Sequence, residues 1–397
     1  MISRRWSRLY LVGIDVSKYK HNGFIATEGG VRFSEFVFPN NQEGFQTFLK
    51  QLQGLDPNQE IRIGLESTGH YGMHLKQFIA ASGYTYLEFN PNKTHQFSKA
   101  MSLRRSKTDK VDARVISNLL GIVDYKTLQS SFYHINELKQ LVRDRDDIMT
   151  NRSKTLNRLT NLIDITFPEY KPFFRNNWGV TALFILKKYH SSVRIAKWTT
   201  RDYEQIKSVS MGRMTYPRFN NLRSLAANTV GVRSEIYDQR IQRVILDYEY
   251  SDASLQEIDA RITELFEHAP SKLRSLPGMG PVMAATIYAE VGNFHLFPSA
   301  TKLIAYCGYD VSVEQSGLSE HHGKMVKHGP PLLRKAVWTY AFQSLRFIPA
   351  LHDYYLRKKS EGKHHKVALA AVCRKLIRII HHIETNQEPF DALSIKQ

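Results

Sequence analysis

The sequence predicts an α/β N-terminal domain, a middle region of long helices and a mainly α-helical C-terminal domain. Short apolar segments with alternating polarity dominate residues 9–90 and indicate strands separated by helices. Apolar residues then recur at helical spacing over two long stretches, and Pro270 with the glycines of LPGMGP opens a further helical part. A chain of 397 residues favours two or three domains. We place them at 1–125, 126–268 and 269–397.

The N-terminal domain is predicted to contain a mixed sheet. LYLVGI, GFIAT and VRFSEFVF have the composition of three strands joined by short polar turns, and IRIGLE and YTYLEFNP follow as further strands. Helices are predicted for GFQTFLKQL, for YGMHLKQFIAASG, which Gly83 closes, and from about Asp109 to Leu120.

The middle region is predicted to be two long helices that pair as a coiled coil. Their apolar positions follow an alternating three- and four-residue spacing, and Arg145 and Arg152 occupy seam positions of the first helix. These apolar positions are Leu138, Val142, Met149, Leu156, Leu159 and Ile163, then Ile241, Val244, Tyr248, Leu255, Ile258, Ile262 and Leu265. The segment between them, roughly 170–235, receives no functional prediction.

The charge balance favours a polyanionic partner. Lys and Arg number 55 against 37 Asp and Glu, a net charge of +18, which suits nucleic acid or an anionic membrane surface. The membrane is the weaker alternative because no apolar run approaches the roughly 18 residues of a spanning helix. LYLVGI is too short for a signal-peptide core, and two cysteines form neither a disulfide framework nor a zinc site. We therefore expect a cytoplasmic protein, associated with the nucleoid when acting.

Four acidic residues are candidates for a metal site. Asp15 closes the first predicted strand and Glu66 the fourth, and functional groups gather at the carboxyl ends of strands in open α/β sheets. Asp109 and Asp112 lie three residues apart, on one helix face. Carboxylates held so close repel each other, and a divalent cation reverses that cost. Two Mg²⁺ ions about 4 Å apart can hold the attacking and leaving oxygens of a phosphodiester.

Basic residues surround the aspartate pair and would hold a nucleic-acid backbone over the metal. They are Arg104, Arg105, Lys107 and Lys110. The alternative for the pair alone is structural: Asp109 would cap the helix, and Asp112 would favour its positive N-terminus.

The C-terminal domain contains two further candidates for contact with phosphate. Gly278 and Gly280 in PGMGP would let backbone N–H groups approach a phosphate at a helix N-terminus. A simple helix–helix turn is the alternative. Ser316, beside Gly317 in a predicted polar loop, precedes Lys324, Lys327 and Arg334. Nearby cations would stabilise an attacking serine alkoxide, although most loop serines are only solvated or cap a helix.

Several of these motifs occur together in one known family. GIDVSK, ESTGHY, NPNK and RRSKTDKVDARVIS resemble, in order and spacing, the N-terminal half of the insertion-sequence-110 transposases. The stretch from LPGMGP to VEQSG, followed by GKMVKHGPPLLRKAV, is similar to the transposase domain of that family. The middle region matches only in helical character.

The resemblance implies a ribonuclease H-like domain similar to the resolvase RuvC, with the DEDD acids at Asp15, Glu66, Asp109 and Asp112. These would hold one or two Mg²⁺ ions, with Mn²⁺ as a substitute. It also implies a catalytic serine at Ser316, with Ser312 and Ser319 as neighbouring alternatives, and a helix-hairpin-helix element at PGMGP. The implied partners are DNA, a structured bridge RNA and further copies of the chain in a dimer or tetramer.

Three other functions remain open from the sequence. A junction-resolving nuclease would use the same acids and metals with water as the attacker. A phosphotransferase of the actin and sugar-kinase type also has an Asp near the end of its first strand, but DVSKYKHN lacks the expected phosphate-binding glycine. A non-catalytic nucleic-acid binder would show salt-sensitive binding alone.

Overall fold

The computed structural model divides the chain into two compact units, with the boundary between residues 131 and 132. The described residues are 9–66, 71–89, 94, 97, 109–122, 133–175, 178–316, 319–327 and 329–392, and only the backbone is described for 109–111, 133–135, 311–316, 319–324 and 326. No helix within these ranges is long and apolar enough to cross a bilayer.

The N-terminal unit is built on a five-stranded mixed sheet. Its elements are β1 (Leu9–Val16), β2 (Lys20–Thr27), β3 (Arg32–Pro39), α1 (Gln42–Gln53), β4 (Glu60–Glu66), α2 (Met73–Ala81), β5 (Tyr86–Phe89) and α3 (Asp109–Ile122). The strand order is β3-β2-β1-β4-β5. β1 pairs antiparallel with β2 and parallel with β4, so the predicted mixed sheet is confirmed and is compatible with a ribonuclease H-like domain.

Two apolar layers cover the faces of this sheet. Ile14, Ile63 and Phe38 pack with Phe48 of α1 and other aromatic residues on one side. On the other side α3 lies directly on β1, because Gly13 has no side chain there: an added Cβ would overlap the Ala113 carbonyl oxygen. The close approach of α3 therefore depends on that glycine.

The second unit begins with a pair of long helices, separated in the chain by a group of short ones. The elements are α4 (Tyr133–Thr166), α5 (Tyr170–Phe173), α6 (Val180–Tyr189), α7 (Ser192–Ala196), α8 (Thr200–Val209), α9 (Tyr216–Ala227) and α10 (Glu235–Glu267). Buried residues of the short helices pack with Leu159 and Ile163 of α4 and with Ile241 and Ile245 of α10.

The two seam arginines show how α4 and α10 pair. Arg145 forms an ion pair with Asp259, and Arg152 lies 2.8 Å from Asp252 and donates to the Tyr248 hydroxyl. From Arg145 to Arg152 the residue number rises along α4, whereas that of the paired acid falls along α10. The two helices are therefore antiparallel, and their seam is closed within one chain. Supercoiling of the pair stays a prediction.

The rest of the unit is helical except for one hairpin. Its elements are α11 (Pro281–Val291), α12 (Ala300–Tyr306), β6 (Asp310–Ser316), β7 (Ser319–Val326), α13 (Pro331–Ser344), α14 (Pro349–Ser360) and α15 (His365–Asn386), with 3₁₀ turns at Leu273–Ser275 and Phe294–Leu296. Their core is continuous with Leu138 and Val142 of α4 and with Ile262 and Phe266 of α10. The boundaries predicted at 125/126 and 268/269 stay predictions.

Candidate active site

Asp15 and Glu66 lie side by side at the carboxyl ends of two neighbouring strands of the sheet. The parallel register pairs Ile14 of β1 with Leu65 of β4, so the two acids are the next residues on neighbouring strands. Adjacent strands are about 4.8 Å apart, and side chains two residues apart share a face. A Cβ at Gly13 would meet α3, and one at Gly64 would meet Ile116 and Leu120 of α3. Asp15 and Glu66 therefore face the same side of the sheet as α3.

The direction of α3 brings the aspartate pair towards the same strand ends. Ala113 lies over Gly13, whereas Ser117, one turn later, donates its hydroxyl to the Leu11 carbonyl at 2.9 Å. Gly121 in turn contacts the Leu11 side chain. The helix thus runs against β1, and its first turn, which holds Asp109 and Asp112, lies near the strand end that holds Asp15. For Asp109 this is a statement about the backbone alone.

The environment of the acids is partly enclosed. Asp15 is 9 % exposed, and Glu66 accepts a 2.6 Å hydrogen bond from the Thr94 hydroxyl. Carboxylates on adjacent strand ends repel each other in the absence of a cation. The donor set is all oxygen, which is the type that Mg²⁺ and Mn²⁺ accept, so the residues fit a divalent ion by ligand type.

No group of three or more His, Cys, Asp or Glu side chains in the described part of the chain is close enough to hold a metal ion. This holds for Asp15, Glu66 and Asp112, whose side chains are described, whereas only the backbone of Asp109 is described. The structure thus brings the strand ends and the first turn of α3 together, and closure of the four carboxylates on one ion stays a prediction.

The basic residues predicted around the aspartates are only partly placed. Arg104, Arg105 and Lys107 lie outside the described residues, and Lys110 is described by its backbone, in the first turn of α3. The β1–β2 turn, 17–19, contains no glycine, which agrees with the argument against a kinase-type phosphate loop.

Ser316 lies in a strand rather than in the polar loop that we expected. It is the last residue of β6, and it pairs with Ser319, the first residue of β7, across a two-residue connection. Ser312 also lies in β6. The alternation of Val311 and Val313 was the signal for a strand, and the many polar residues that follow obscured it. Apart from this hairpin and two 3₁₀ turns, the described elements of this part are α-helices, so the mainly α-helical prediction is confirmed.

The glycine turn before α11 is held mainly by other parts of its own unit. Gly278 has a positive φ of 78°, and its Cα faces the Phe347 ring. The carbonyl oxygens of Pro277 and Gly278 accept hydrogen bonds from Tyr340 and Gln343. The preceding element is a 3₁₀ turn rather than a full helix, and the helix-hairpin-helix assignment stays a prediction.

Gly280, unlike Gly278, has open space where a side chain would be. It precedes α11 directly, and an added Cβ there would meet nothing within 4 Å. Of the predicted cations near the serine, Lys327 is exposed, and Arg334 donates to the Gly329 carbonyl at 3.2 Å. Lys324 is described by its backbone, in β7. Phosphate contacts by these residues stay predictions.

Asn22 is a residue of this site that the sequence did not reveal. It lies directly opposite Asp15 in the antiparallel β1–β2 pair, and its side chain is buried. The second strand was expected to begin at Gly23, whereas it begins at Lys20. An asparagine in a polar turn attracts no attention, and only the strand register shows that it lies beside an acid.

Comparison with known proteins identifies the family. A family model described as Transposase matches residues 12–168, and one described as Transposase IS116/IS110/IS902 family matches residues 271–356. Together they match more than half of the chain. The chain belongs to the IS110 family of transposases.

Members of this transposase family match the chain over nearly its whole length. A 43.6 kDa protein of insertion element IS110 from Streptomyces coelicolor is 23 % identical over 376 residues, covering 93 % of this chain and 92 % of that protein. The pilin gene-inverting protein of Moraxella bovis is 23 % identical over 390 residues, covering 96 % and 97 %. The protein is therefore a DNA transposase or recombinase by family, and its DEDD class implies the use of a divalent metal. Residues 169–270 lie outside both family models.

Proposed function

We propose that this transposase cuts and rejoins DNA strands with a metal site of four acids and a serine nucleophile. The acids are Asp15, Glu66, Asp109 and Asp112, the ion is Mg²⁺, and the nucleophile is Ser316. The observation that supports the proposal is the strand register, which puts two acids on adjacent parallel strands at the end of the sheet toward which the first turn of α3 is directed. The choice of Ser316 as the nucleophile rests on the resemblance of the surrounding motif to the family.

The proposed chemistry conserves one phosphodiester bond at each step. The Ser316 oxygen forms a bond to the scissile phosphorus, the bond from phosphorus to the leaving deoxyribose oxygen breaks, and that oxygen takes up a proton. A hydroxyl of the recipient strand later attacks the phosphorus of the phosphoserine and loses its proton, the bond from phosphorus to the serine oxygen breaks, and the serine oxygen takes up a proton. A bound divalent ion would supply charge stabilisation at the phosphate. The acids would hold it there, and nearby cations would stabilise the phosphorane.

The direct test is to capture protein attached covalently to DNA. The full-length protein is incubated with the DNA ends of its element, co-expressed flanking RNA and Mg²⁺, and adducts that survive denaturation are mapped by mass spectrometry of the 310–326 peptide. We expect an adduct in the wild type, and its loss in both Ser316→Ala and Asp112→Ala. Ser319→Ala is the matched control, because Ser319 is the cross-strand partner of Ser316, and it should retain the adduct.

Junction resolution with water as the attacker is the competing function. It is favoured by one observation: the four acids all lie in the N-terminal unit, so that unit alone contains every proposed metal ligand. Cleavage at full rate by Ser316→Ala, with no adduct in the wild type, would establish it and end the serine mechanism. DNA binding that is unaffected by Asp15→Ala and Glu66→Ala, with no strand joining by any form, would favour a non-catalytic role.

Two partners are part of the proposal. We infer a structured guide RNA and a homo-oligomer, a dimer or tetramer, from the family resemblance, and the net charge of +18 is compatible with bound nucleic acid. RNase treatment before the reaction should abolish strand joining, and light scattering should show more than one copy per particle. The oligomer contact must involve surfaces other than the seam of α4 and α10, because that seam is closed within one chain.

A further inference from the structure

Three polar side chains form a row across the three central strands of the N-terminal sheet. Asn22 on β2 is directly opposite Asp15 on β1, and Glu66 on β4 follows in the neighbouring parallel register. Phe24 and Ala26, which share the face of Asn22 on β2, contact Ala113 of α3. Asn22 therefore faces the same side as the two acids.

The side-chain nitrogen of Asn22 is an unsatisfied donor among the described residues. The residue is 5 % exposed, and its Nδ2 atom, buried from solvent, makes no hydrogen bond with the described part of the chain. Leaving a buried donor unsatisfied costs about 1–3 kcal/mol, and native proteins leave few such groups. A buried asparagine in this position requires a functional or structural explanation.

The neighbouring acid is the partner within reach. Directly opposite residues of an antiparallel pair have Cβ atoms about 4.5–5.5 Å apart, so rotation about the side-chain bonds of Asp15 can bring a carboxylate oxygen to the amide. His21, the preceding residue, cannot serve, because it faces the other side of the sheet and contacts Phe38. An amide also adds no charge to a site that already holds several acids.

We propose that Asn22 is a positioning residue for the metal site: its side-chain amide donates to the Asp15 carboxylate oxygen that points away from the bound ion. The bond would fix the Asp15 orientation in which the other oxygen binds metal. This inference rests on the proposed divalent-ion site. Outer partners that orient a metal ligand are typically worth about 10–100-fold in metal affinity.

The test compares two variants that differ by one hydroxyl group. Asn22→Val and Asn22→Thr have nearly the same shape and both suit a strand, but only threonine keeps a donor. Mn²⁺ affinity of the full-length protein, measured by calorimetry without DNA, is the readout, so activity is not needed. We expect Asn22→Val to bind Mn²⁺ about 10–100-fold more weakly than the wild type, and Asn22→Thr to bind at least about tenfold more tightly than Asn22→Val.

The melting temperature without metal provides a second readout, which should not fall in Asn22→Val although Mn²⁺ affinity does. Asn22→Val removes a buried unsatisfied donor, so its metal-free melting temperature should equal or exceed that of the wild type. Ser117→Ala is the matched control for packing. It removes the bond to the Leu11 carbonyl at the same helix–sheet contact, so it should lower the melting temperature and leave Mn²⁺ affinity unchanged.

The outcomes separate this inference from the proposed function. Failure of the wild type to bind Mn²⁺, with no change in Asp15→Ala, would remove the metal site itself. Wild-type binding that is lost in Asp15→Ala but unchanged in Asn22→Val would refute only the role of Asn22. Equal weakening by Ser117→Ala and Asn22→Val would also refute it, because packing alone would then explain the effect.

Discussion

The two units of this transposase hold their candidate residues in different ways. Asp15 and Glu66 lie at the ends of β1 and β4, two interior strands of a five-stranded sheet. Ser316 ends a strand of a two-stranded sheet, which has no interior strand. The positions of the acids therefore depend on strand register and on one close helix contact, whereas the position of the serine depends on a hairpin. Substitutions in the scaffold should affect the two sites unequally.

The largest effect should follow from filling the contact between β1 and α3. A methyl group at Gly13 would overlap backbone atoms of Ala113 and Ser117, and neither backbone segment can rotate away as a side chain can. We expect Gly13→Ala to lower the free energy of unfolding by about 3 kcal/mol or more and to abolish metal binding. Calorimetry of the full-length protein measures the first effect.

Gly29→Ala is the control for this prediction. A Cβ at Gly29 would meet nothing within 4 Å, so the variant should match the wild type within about 0.5 kcal/mol. Wild-type stability of Gly13→Ala would show that α3 does not lie on β1 as described.

A smaller effect is expected from the glycine turn of the second unit. Gly278 has a left-handed backbone conformation and faces the Phe347 ring, but a ring can move where a backbone cannot. We expect Gly278→Ala to destabilise by about 2 kcal/mol. Gly280→Ala, two residues on and facing open space, should have little effect. Equal losses in the two variants would mean that the turn responds to any added side chain.

The contrast between the two units also explains what the sequence could predict. Alternating segments identified all five strands of the first unit, and their order in the chain was enough to place Asp15 and Glu66 at strand ends. The burial of Asn22 could not be predicted, because it depends on which residue of β2 lies opposite Asp15. The hairpin around Ser316 was missed because its second strand, SEHHGKMV, is mostly polar. Alternation of apolar and polar residues identifies a strand only where the strand has an apolar face.

The pairing of the long helices was predicted in part for the same reason. Apolar spacing located both helices, and it marked Arg145 and Arg152 as seam residues. The spacing of apolar residues along one helix does not indicate whether its partner helix is parallel or antiparallel, or whether the partner belongs to the same chain. Asp259 and Asp252, the acids that neutralise those arginines, reveal both, but only once the helices are placed side by side.

In the first unit, an effect of pH on stability is expected from His21. Burial lowers the pKa of His21, and a weaker contribution from Asn40 opposes it. The Ser17 N–H donates to the His21 Nδ1 atom, which protonation would disrupt. The unfolded chain thus binds the proton more readily, so stability is full above the unfolded value of about 6.5 and is lost as pH falls below it.

The measurement is the melting temperature at about pH 7.5 and about pH 5.5, on either side of the unfolded histidine value. His21→Phe, which keeps a ring between Phe38 and Phe45, should lose less stability on acidification than the wild type. His352→Gln, at an exposed position, should behave as the wild type. Identical pH dependence of all three proteins would exclude His21 as the source.

The smallest expected effect concerns the two cysteines of the second unit. Cys307 and Cys373 are free and buried, and burial raises the pKa of each thiol to about 12. The thiolate is the reactive form, so at about pH 8, near the usual pKa of a free thiol, both should resist iodoacetamide in the folded protein. Intact mass should show no modification until guanidinium unfolds the chain, when both react. Modification of the folded protein at either position would mean that the core shared by α12 and α15 opens to solvent without global unfolding.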